Sequence, residues 1–113
     1  MDNIKIVHIN NISSDPRTFI DGSRRFITKL SSMVLGRGVY NPGWKWSVHA
    51  GPQTGKESAG HIGWIQSGKM IICSPNGSEY EVGPGDFFEV GPNHDAWVVG
   101  DKPCVALDFA IKD

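Results

Sequence analysis

Short apolar runs separated by turn residues make up most of this chain. Fourteen glycines and seven prolines interrupt the sequence at short intervals, and the runs between them are rich in Val, Ile, Phe and Trp. This rhythm is typical of β-strands joined by turns, and no long stretch shows the periodicity of an amphipathic helix. The predicted strands cover residues 4–9, 25–30, 33–40, 44–50, 61–66, 69–73, 79–82, 86–90, 96–99 and 104–111.

Three of the turns have a specific chemistry. Ser67-Gly68 and Pro75-Asn76-Gly77 each separate two apolar runs, and Asn and Gly tolerate the positive φ of tight hairpin turns. Both turns therefore predict antiparallel neighbours, the first joining a central strand with Ile62, Trp64 and Ile65 to strand 69–73. Gly91-Pro92-Asn93 predicts a break that leaves the next residue at the lip of a strand.

The length of 113 residues fits one domain that folds as a β-sandwich or a β-barrel. We expect one domain over residues 1–113, with an amino-terminal strand segment at 1–24 and a barrel at 25–113. Strand 4–9 is apolar and can pair across subunits, and a short chain with many strands has sheet edges to cover. A homodimer is therefore expected.

Composition excludes several classes of partner. Eleven basic and twelve acidic residues leave a formal net charge of −1, which does not favour nucleic acid or an anionic membrane as a partner. No apolar run is long enough to cross a bilayer, and the first residues lack the pattern of a secretory signal, so a cytoplasmic location is expected. Cys73 and Cys104 form no CxxC pair, and we expect free thiols.

Two motifs resemble those of the cupin superfamily. Gly83-Pro84-Gly85-Asp86, followed by Gly91-Pro92-Asn93-His94 and then Asp101-Lys102-Pro103, resembles the second cupin motif. Counting from Gly43 along the first motif puts its first histidine at His49, and counting back from Gly68 puts its glutamate position at His61. A loop at 52–60 is inserted between these positions. The resemblance covers residues 43–103 and implies an all-β, antiparallel cupin jelly-roll barrel of the small, single-domain, RmlC-like kind.

The same resemblance implies a metal site inside the barrel. Cupins hold Fe, Mn, Ni, Cu or Zn with imidazole and carboxylate ligands, which suit these ions and leave positions open for a substrate. His61 and His94 stand at ligand positions of the family. Glu57, in the inserted loop, can supply the carboxylate that His61 replaces. The predicted metal ligands are therefore Glu57, His61 and His94.

His49 is a weaker candidate for the site. In a strand over 44–50, Trp44, Trp46, Val48 and Ala50 would share one face, so that His49 would lie on the other. If the apolar face points inward, His49 points outward.

Three functions remain open from the sequence. The first is a metal-dependent enzyme acting on an organic acid or a sugar-derived metabolite. The second is a non-catalytic module that binds or senses a small ligand in the same pocket. The third is a metal-free isomerase-like cupin in which His61 or His94 acts as a general base. All three have one pocket and a small-molecule ligand.

Overall fold

The computed structural model of the protein describes residues 3–8 and 16–111. Within these residues nine β-strands form two antiparallel sheets, with order β1-β2-β3-β9-β4-β7 in the larger and β6-β5-β8 in the smaller. A π-helical turn, Trp46–Ala50, and a short helix α1, Gly51–Thr54, lie between β3 and β4. The strands are β1 Arg17–Thr18, β2 Arg24–Lys29, β3 Met33–Tyr40, β4 His61–Ser67, β5 Lys69–Cys73, β6 Glu79–Val82, β7 Phe87–Val90, β8 Asp95–Val99 and β9 Cys104–Ile111.

The core lies between the inner faces of the two sheets. Alternate positions of each strand point inward, as the period of a β-strand requires. Met70 and Ile72 of β5 stand opposite Val98 and Ala96 of β8, and all four are buried. Ile65 of β4 is fully buried on the facing sheet. The fold is therefore the predicted all-β antiparallel jelly roll, and Ile62, Trp64 and Ile65 share one strand as predicted.

The hairpin predicted at Pro75-Asn76-Gly77 is confirmed. Strands β5 and β6 pair antiparallel, with Cys73 opposite Glu79. The Ser78 amide donates to the side chain of Asn76, and Gly77 has a φ of 92°. The residues that tolerate this backbone conformation thus stand where the turn needs them.

The hairpin predicted at Ser67-Gly68 is wrong. β4 pairs with β7 and β9 in the larger sheet, whereas β5 pairs with β6 and β8 in the smaller one. Gly68, with a φ of 78°, is instead the corner at which the chain passes from one sheet to the other. A Cβ there would lie 2.3 Å from the Pro103 carbonyl oxygen, so the close approach of the two segments requires glycine.

The strand predicted at 44–50 is also wrong. The segment makes a single bridge between Lys45 and Trp97, which sets it beside β8, and then turns into the π-helical Trp46–Ala50. Side chains account for this because they satisfy the backbone amides that a sheet would otherwise pair: His49 Nδ1 accepts from the Lys45 amide, and Asp95 accepts from the Ser47 amide.

Residues 3–8 form no strand, so the strand predicted at 4–9 is not observed over its described part, and Ile9 lies outside the described residues. Within the described ranges no helix is long and apolar enough to cross a membrane. Cys73 and Cys104 are free thiols, as predicted.

Candidate functional site

A cavity of about 370 Å³ opens between the two sheets. Its walls include the aromatic side chains of Phe19, Trp44, Trp46 and Phe88. Trp44 is almost completely buried, and within the described part of the chain its indole Nε1 has no hydrogen-bond partner. A buried donor without an acceptor is uncommon in folded proteins, and in a cavity wall it suits a site that receives a polar ligand.

His61 is the first residue of β4 and lines this cavity. It pairs with Val90 at the end of β7, and its ring packs edge-on against Phe88 with 6.1 Å between ring centroids. His61 Nδ1 lies 3.1 Å from the Ala59 carbonyl oxygen. Because a carbonyl oxygen only accepts, Nδ1 carries the proton, and Nε2 of the neutral ring keeps its lone pair.

His94 stands directly before β8, at the lip of the strand, as the turn at 91–93 predicts. Its Nδ1 donates to the Gly91 carbonyl oxygen at 2.9 Å, so Nε2 carries the lone pair of the uncharged ring, and no described residue hydrogen-bonds to it. Burial is the largest influence on the pKa of His94 and lowers it; the hydrogen bond to Gly91 opposes this, and the nearby His61 lowers the pKa further. The neutral form, which binds metals and accepts protons, is therefore favoured.

The two imidazoles lie together at one end of the cavity, with 5.3 Å between ring centroids. Metal–imidazole bonds of about 2.1 Å place the centres of two rings on one ion roughly 5 Å apart. Each Nδ1 is also held by a backbone carbonyl, which is how metal-binding histidines are usually oriented. The separation of the two rings therefore matches that of two imidazoles on one ion.

Glu57 lines the same cavity on an exposed loop. The loop is fixed to the segment that carries His94, because Ser58 Oγ donates to the His94 carbonyl oxygen at 2.6 Å and the Asn93 amide donates to the Ser58 carbonyl at 3.0 Å. Among residues 3–8 and 16–111, however, no three His, Cys, Asp or Glu side chains form a group that could hold a metal ion. The structure thus brings together two of the three predicted ligands, and the complete metal site stays a prediction.

His49 does not belong to the described lining of the cavity. The turn in which it lies directs its Nδ1 onto the Lys45 amide at 2.9 Å. The alternation that predicted its direction does not apply, since the segment is not a strand.

An ion pair that the sequence analysis missed forms part of the cavity wall. Arg25 of β2 reaches across β3 to Asp108 of β9 and donates from Nε at 3.0 Å and from Nη2 at 2.5 Å. A Cβ at Gly36, on the intervening strand, would lie 2.6 Å from Arg25 Nη2 and 2.7 Å from both Asp108 oxygens. The absence of a side chain at Gly36 therefore makes room for the pair.

Two further cavity residues surround this ion pair. Tyr40 is buried, and burial raises its pKa; Asp108 raises it further, while Arg25 opposes the shift, so its hydroxyl stays protonated. Arg17 stands directly opposite Arg25 in the β1–β2 ladder, and both line the cavity. The sequence offers two signals for this cluster: Gly36 and Gly38 alternate within a strand, where glycine marks a close approach, and Asp108 interrupts an apolar strand.

Comparisons with known proteins support the fold. No protein-family model matches the chain, and no curated protein is significantly similar in sequence. A sugar phosphate isomerase from a cupin superfamily of Silicibacter pomeroyi superposes with a TM-score of 0.71 at 15% identity, over 96% of this chain and 76% of that one. A predicted oxalate decarboxylase from Thermotoga maritima gives 0.69 at 17% identity, over 95% and 98% of the two chains.

An RmlC-like cupin from Shewanella frigidimarina gives a TM-score of 0.66 at 13% identity, over 95% of this chain and 89% of that chain. At such identities the likeness concerns the fold and not the reaction. The antiparallel two-sheet topology and these superpositions together show that this protein has the cupin fold, as a small jelly-roll barrel of unassigned reaction.

Proposed function

We propose that the protein binds a small organic metabolite in the barrel cavity, at a divalent transition metal ion held by His61, His94 and Glu57. One observation carries this proposal: the ring centroids of the two imidazoles lie 5.3 Å apart, each Nδ1 donates to a backbone carbonyl, and no described residue hydrogen-bonds to either Nε2. Two imidazoles and one carboxylate are a donor set that suits Fe, Mn, Ni, Cu or Zn.

Each residue has a separate part in the proposed site. Backbone carbonyls fix the tautomer and direction of His61 and His94, which keeps the ligands in place before an ion arrives. Glu57 lines the same cavity on a loop that is tied to His94 through Ser58, and a movement of this loop would have to bring its carboxylate to the ion. The ion would act as a Lewis acid toward a metabolite oxygen.

Metal content tests the proposal. Protein purified without an affinity tag is loaded with Fe, Mn, Ni, Cu or Zn, dialysed and analysed for bound metal, together with His61→Ala, His94→Ala and Glu57→Ala. We expect about one ion per chain in the wild type, loss of the ion in either histidine variant and weaker retention in Glu57→Ala. His49→Ala is the matched control, because it removes a histidine outside the cavity lining and should keep the ion.

Retention of no ion by the wild type would refute the metal proposal. Equal loss in His49→Ala would refute the assignment to the cavity. Circular dichroism of each variant should keep its β-sheet signal, since an isolated ligand contributes less to the fold than the apolar core does.

A second candidate is a metal-free isomerase-like function. It is favoured by the missing three-ligand group among the described residues and by the lowered pKa of His94, which leaves a neutral base in an aromatic cavity. Bound metal separates this candidate from the first. Turnover of an organic acid or sugar derivative, monitored by NMR, distinguishes both enzyme candidates from a module that only binds its ligand.

A further inference from the structure

We propose that the β1–β2 end of the cavity is an oxyanion subsite, in which Arg17 and Arg25 bind the carboxylate or phosphate group of the ligand. This inference deepens the proposed function and rests on it for the location of the ligand. It assigns the class of metabolite, a small organic anion whose second polar group reaches the two histidines.

The first support is the charge of the cavity lining. Three basic side chains, Arg17, Arg25 and Lys56, and two acidic ones, Glu57 and Asp108, line the cavity. Arginine and lysine thus outnumber aspartate and glutamate by one in the lining, whereas in the whole chain twelve acidic residues outnumber eleven basic ones. The buried aromatic side chains of Phe19 and Trp44 lower the local dielectric constant of the lining, which strengthens the attraction of an anion to this charge.

The second support is the pairing of two like charges. Arg17 and Arg25 are directly opposite each other in the β1–β2 ladder, and both face the cavity. Like charges at opposite positions of an antiparallel pair destabilise the sheet. Asp108 compensates one of the two cations, and an oxyanion placed between them would compensate the other.

The third support is the hydrogen-bonding capacity that remains on Arg25. Its contacts with Asp108 use Nε and Nη2. A guanidinium has five N–H donors in a rigid fork, so donors remain for a second acceptor. The bidentate contact with Asp108 also fixes the guanidinium plane, and less conformational entropy is lost when an anion binds.

The distance to the histidines suits a small molecule. Asp108 is directly opposite Gly63 on β4, and His61 lies two residues further along that strand on the same inner face. Such diagonal neighbours have Cβ atoms roughly 7 Å apart. Arg25 is bonded to Asp108, so a ligand of a few carbon atoms can place its anionic group at the Arg25 guanidinium and an oxygen at the imidazoles.

Solution NMR of the Arg side-chain Nε–Hε resonances tests the subsite. Wild-type protein is titrated at neutral pH with succinate, with inorganic phosphate and with succinamide, the neutral match of succinate. We expect saturable shifts with at least one anion and none with succinamide. Whichever anion binds more tightly identifies the ligand group as carboxylate or phosphate.

Arg17→Gln is the test variant, because Arg17 is exposed and is not part of the Arg25–Asp108 pair. Loss of one charged donor should weaken anion binding by about fivefold or more. Lys102→Gln, which removes the same charge from an exposed turn between β8 and β9, should bind anions within about twofold of the wild type.

Three results would overturn the inference: no saturation by either anion below about 50 mM, equal binding of succinamide, or unchanged anion affinity in Arg17→Gln. Metal content is measured on the same samples. If the wild type keeps its ion and Arg17→Gln binds anions as tightly as the wild type does, the subsite is refuted and the metal proposal stands. Arg17-dependent anion binding in a protein that retains no ion refutes the metal proposal and leaves the subsite standing.

Discussion

Substitution of Gly36 by alanine tests the Arg25–Asp108 ion pair, which contributes both to the stability of the fold and to the proposed anion subsite. The added Cβ would lie 2.6 Å from Arg25 Nη2 and 2.7 Å from both carboxylate oxygens of Asp108. These atoms are the ends of flexible side chains and can move away. The variant therefore loses stability because the ion pair is broken, and not because the added Cβ clashes with the backbone.

The expected loss of stability follows from the exposure of the pair. The two side chains are 23% and 19% exposed, so solvent screens the interaction only in part. Charge-assisted hydrogen bonds of this kind contribute about 1.5–3 kcal/mol to the free energy of unfolding. When the pair separates, water partly hydrates the two charged groups, which reduces the loss of stability. We expect Gly36→Ala to lower the free energy of unfolding by about 1–2 kcal/mol, which lowers Tm by about 4–8 °C in a chain of this size.

Thermal unfolding of Gly36→Ala is compared with that of Gly83→Ala. At Gly83 the nearest described atom to an added Cβ is Lys69 Cγ at 3.7 Å, an ordinary contact. Gly36→Ala should also bind succinate or phosphate more weakly, because the guanidinium loses its fixed orientation. A Tm within about 2 °C of Gly83→Ala, together with unchanged anion binding, would refute the reasoning.

Three further predictions concern the rest of the molecule. Gly68→Ala should destabilise by about 3 kcal/mol or more, because its Cβ would meet backbone atoms of Pro103 and Cys104 at 2.3 and 2.6 Å. Urea titration measures the free energy of unfolding of this variant and of Gly77→Ala, which is also at positive φ but has no described atom within 4 Å of the added Cβ. Gly77→Ala should lose clearly less stability, and equal losses in the two variants would contradict the account. Burial raises the pKa of the Cys104 thiol to about 11 from an ordinary value of 9.0. As the pH rises, the thiol therefore loses its proton in the unfolded chain before it does so in the folded protein. Stability should therefore fall between about pH 9 and 11, more steeply in the wild type than in Cys104→Ala, and equal slopes in the two proteins would contradict this assignment. Residues 3–8 form no strand that could pair across subunits, so we propose that the homodimer uses the face of Phe87 instead, which is 68% exposed and stacks on Phe109 with 6.4 Å between ring centroids. Light scattering should show a dimer that Phe87→Glu disrupts and that Tyr80→Glu, on the smaller sheet, does not; a monomeric wild type would contradict it.

The strands were predictable from the sequence where the residues of the strand and of its adjoining turn determine the backbone conformation. Asn76-Gly77 makes a hairpin because these residues tolerate its backbone conformation, and β3 and β9 are apolar runs between turns. Gly68 also has the predicted positive φ. Local chemistry does not determine which sheet the next strand joins, so a glycine turn predicts a hairpin and a corner between sheets equally well.

Long-range side-chain contacts account for the other differences. The segment 44–50 alternates like a strand, but Asp95, far along the chain, accepts from the Ser47 amide and helps to hold a helical turn. His61 and His94 were predictable as neighbours because the resemblance to the two cupin motifs implies that both stand at ligand positions inside one barrel. The Arg25–Asp108 pair joins residues 83 positions apart, and it depends on a register across β2, β3 and β9 that composition does not encode.

The position of a bound ion tests the central claim most directly. Crystals grown with the metal that the purified protein retains are measured at the absorption edge of that metal, and an anomalous difference map locates the ion. We predict one peak in the barrel cavity about 2.1 Å from Nε2 of both His61 and His94. A peak that contacts neither Nε2, or a map with no peak in the cavity of metal-loaded crystals, would contradict the account.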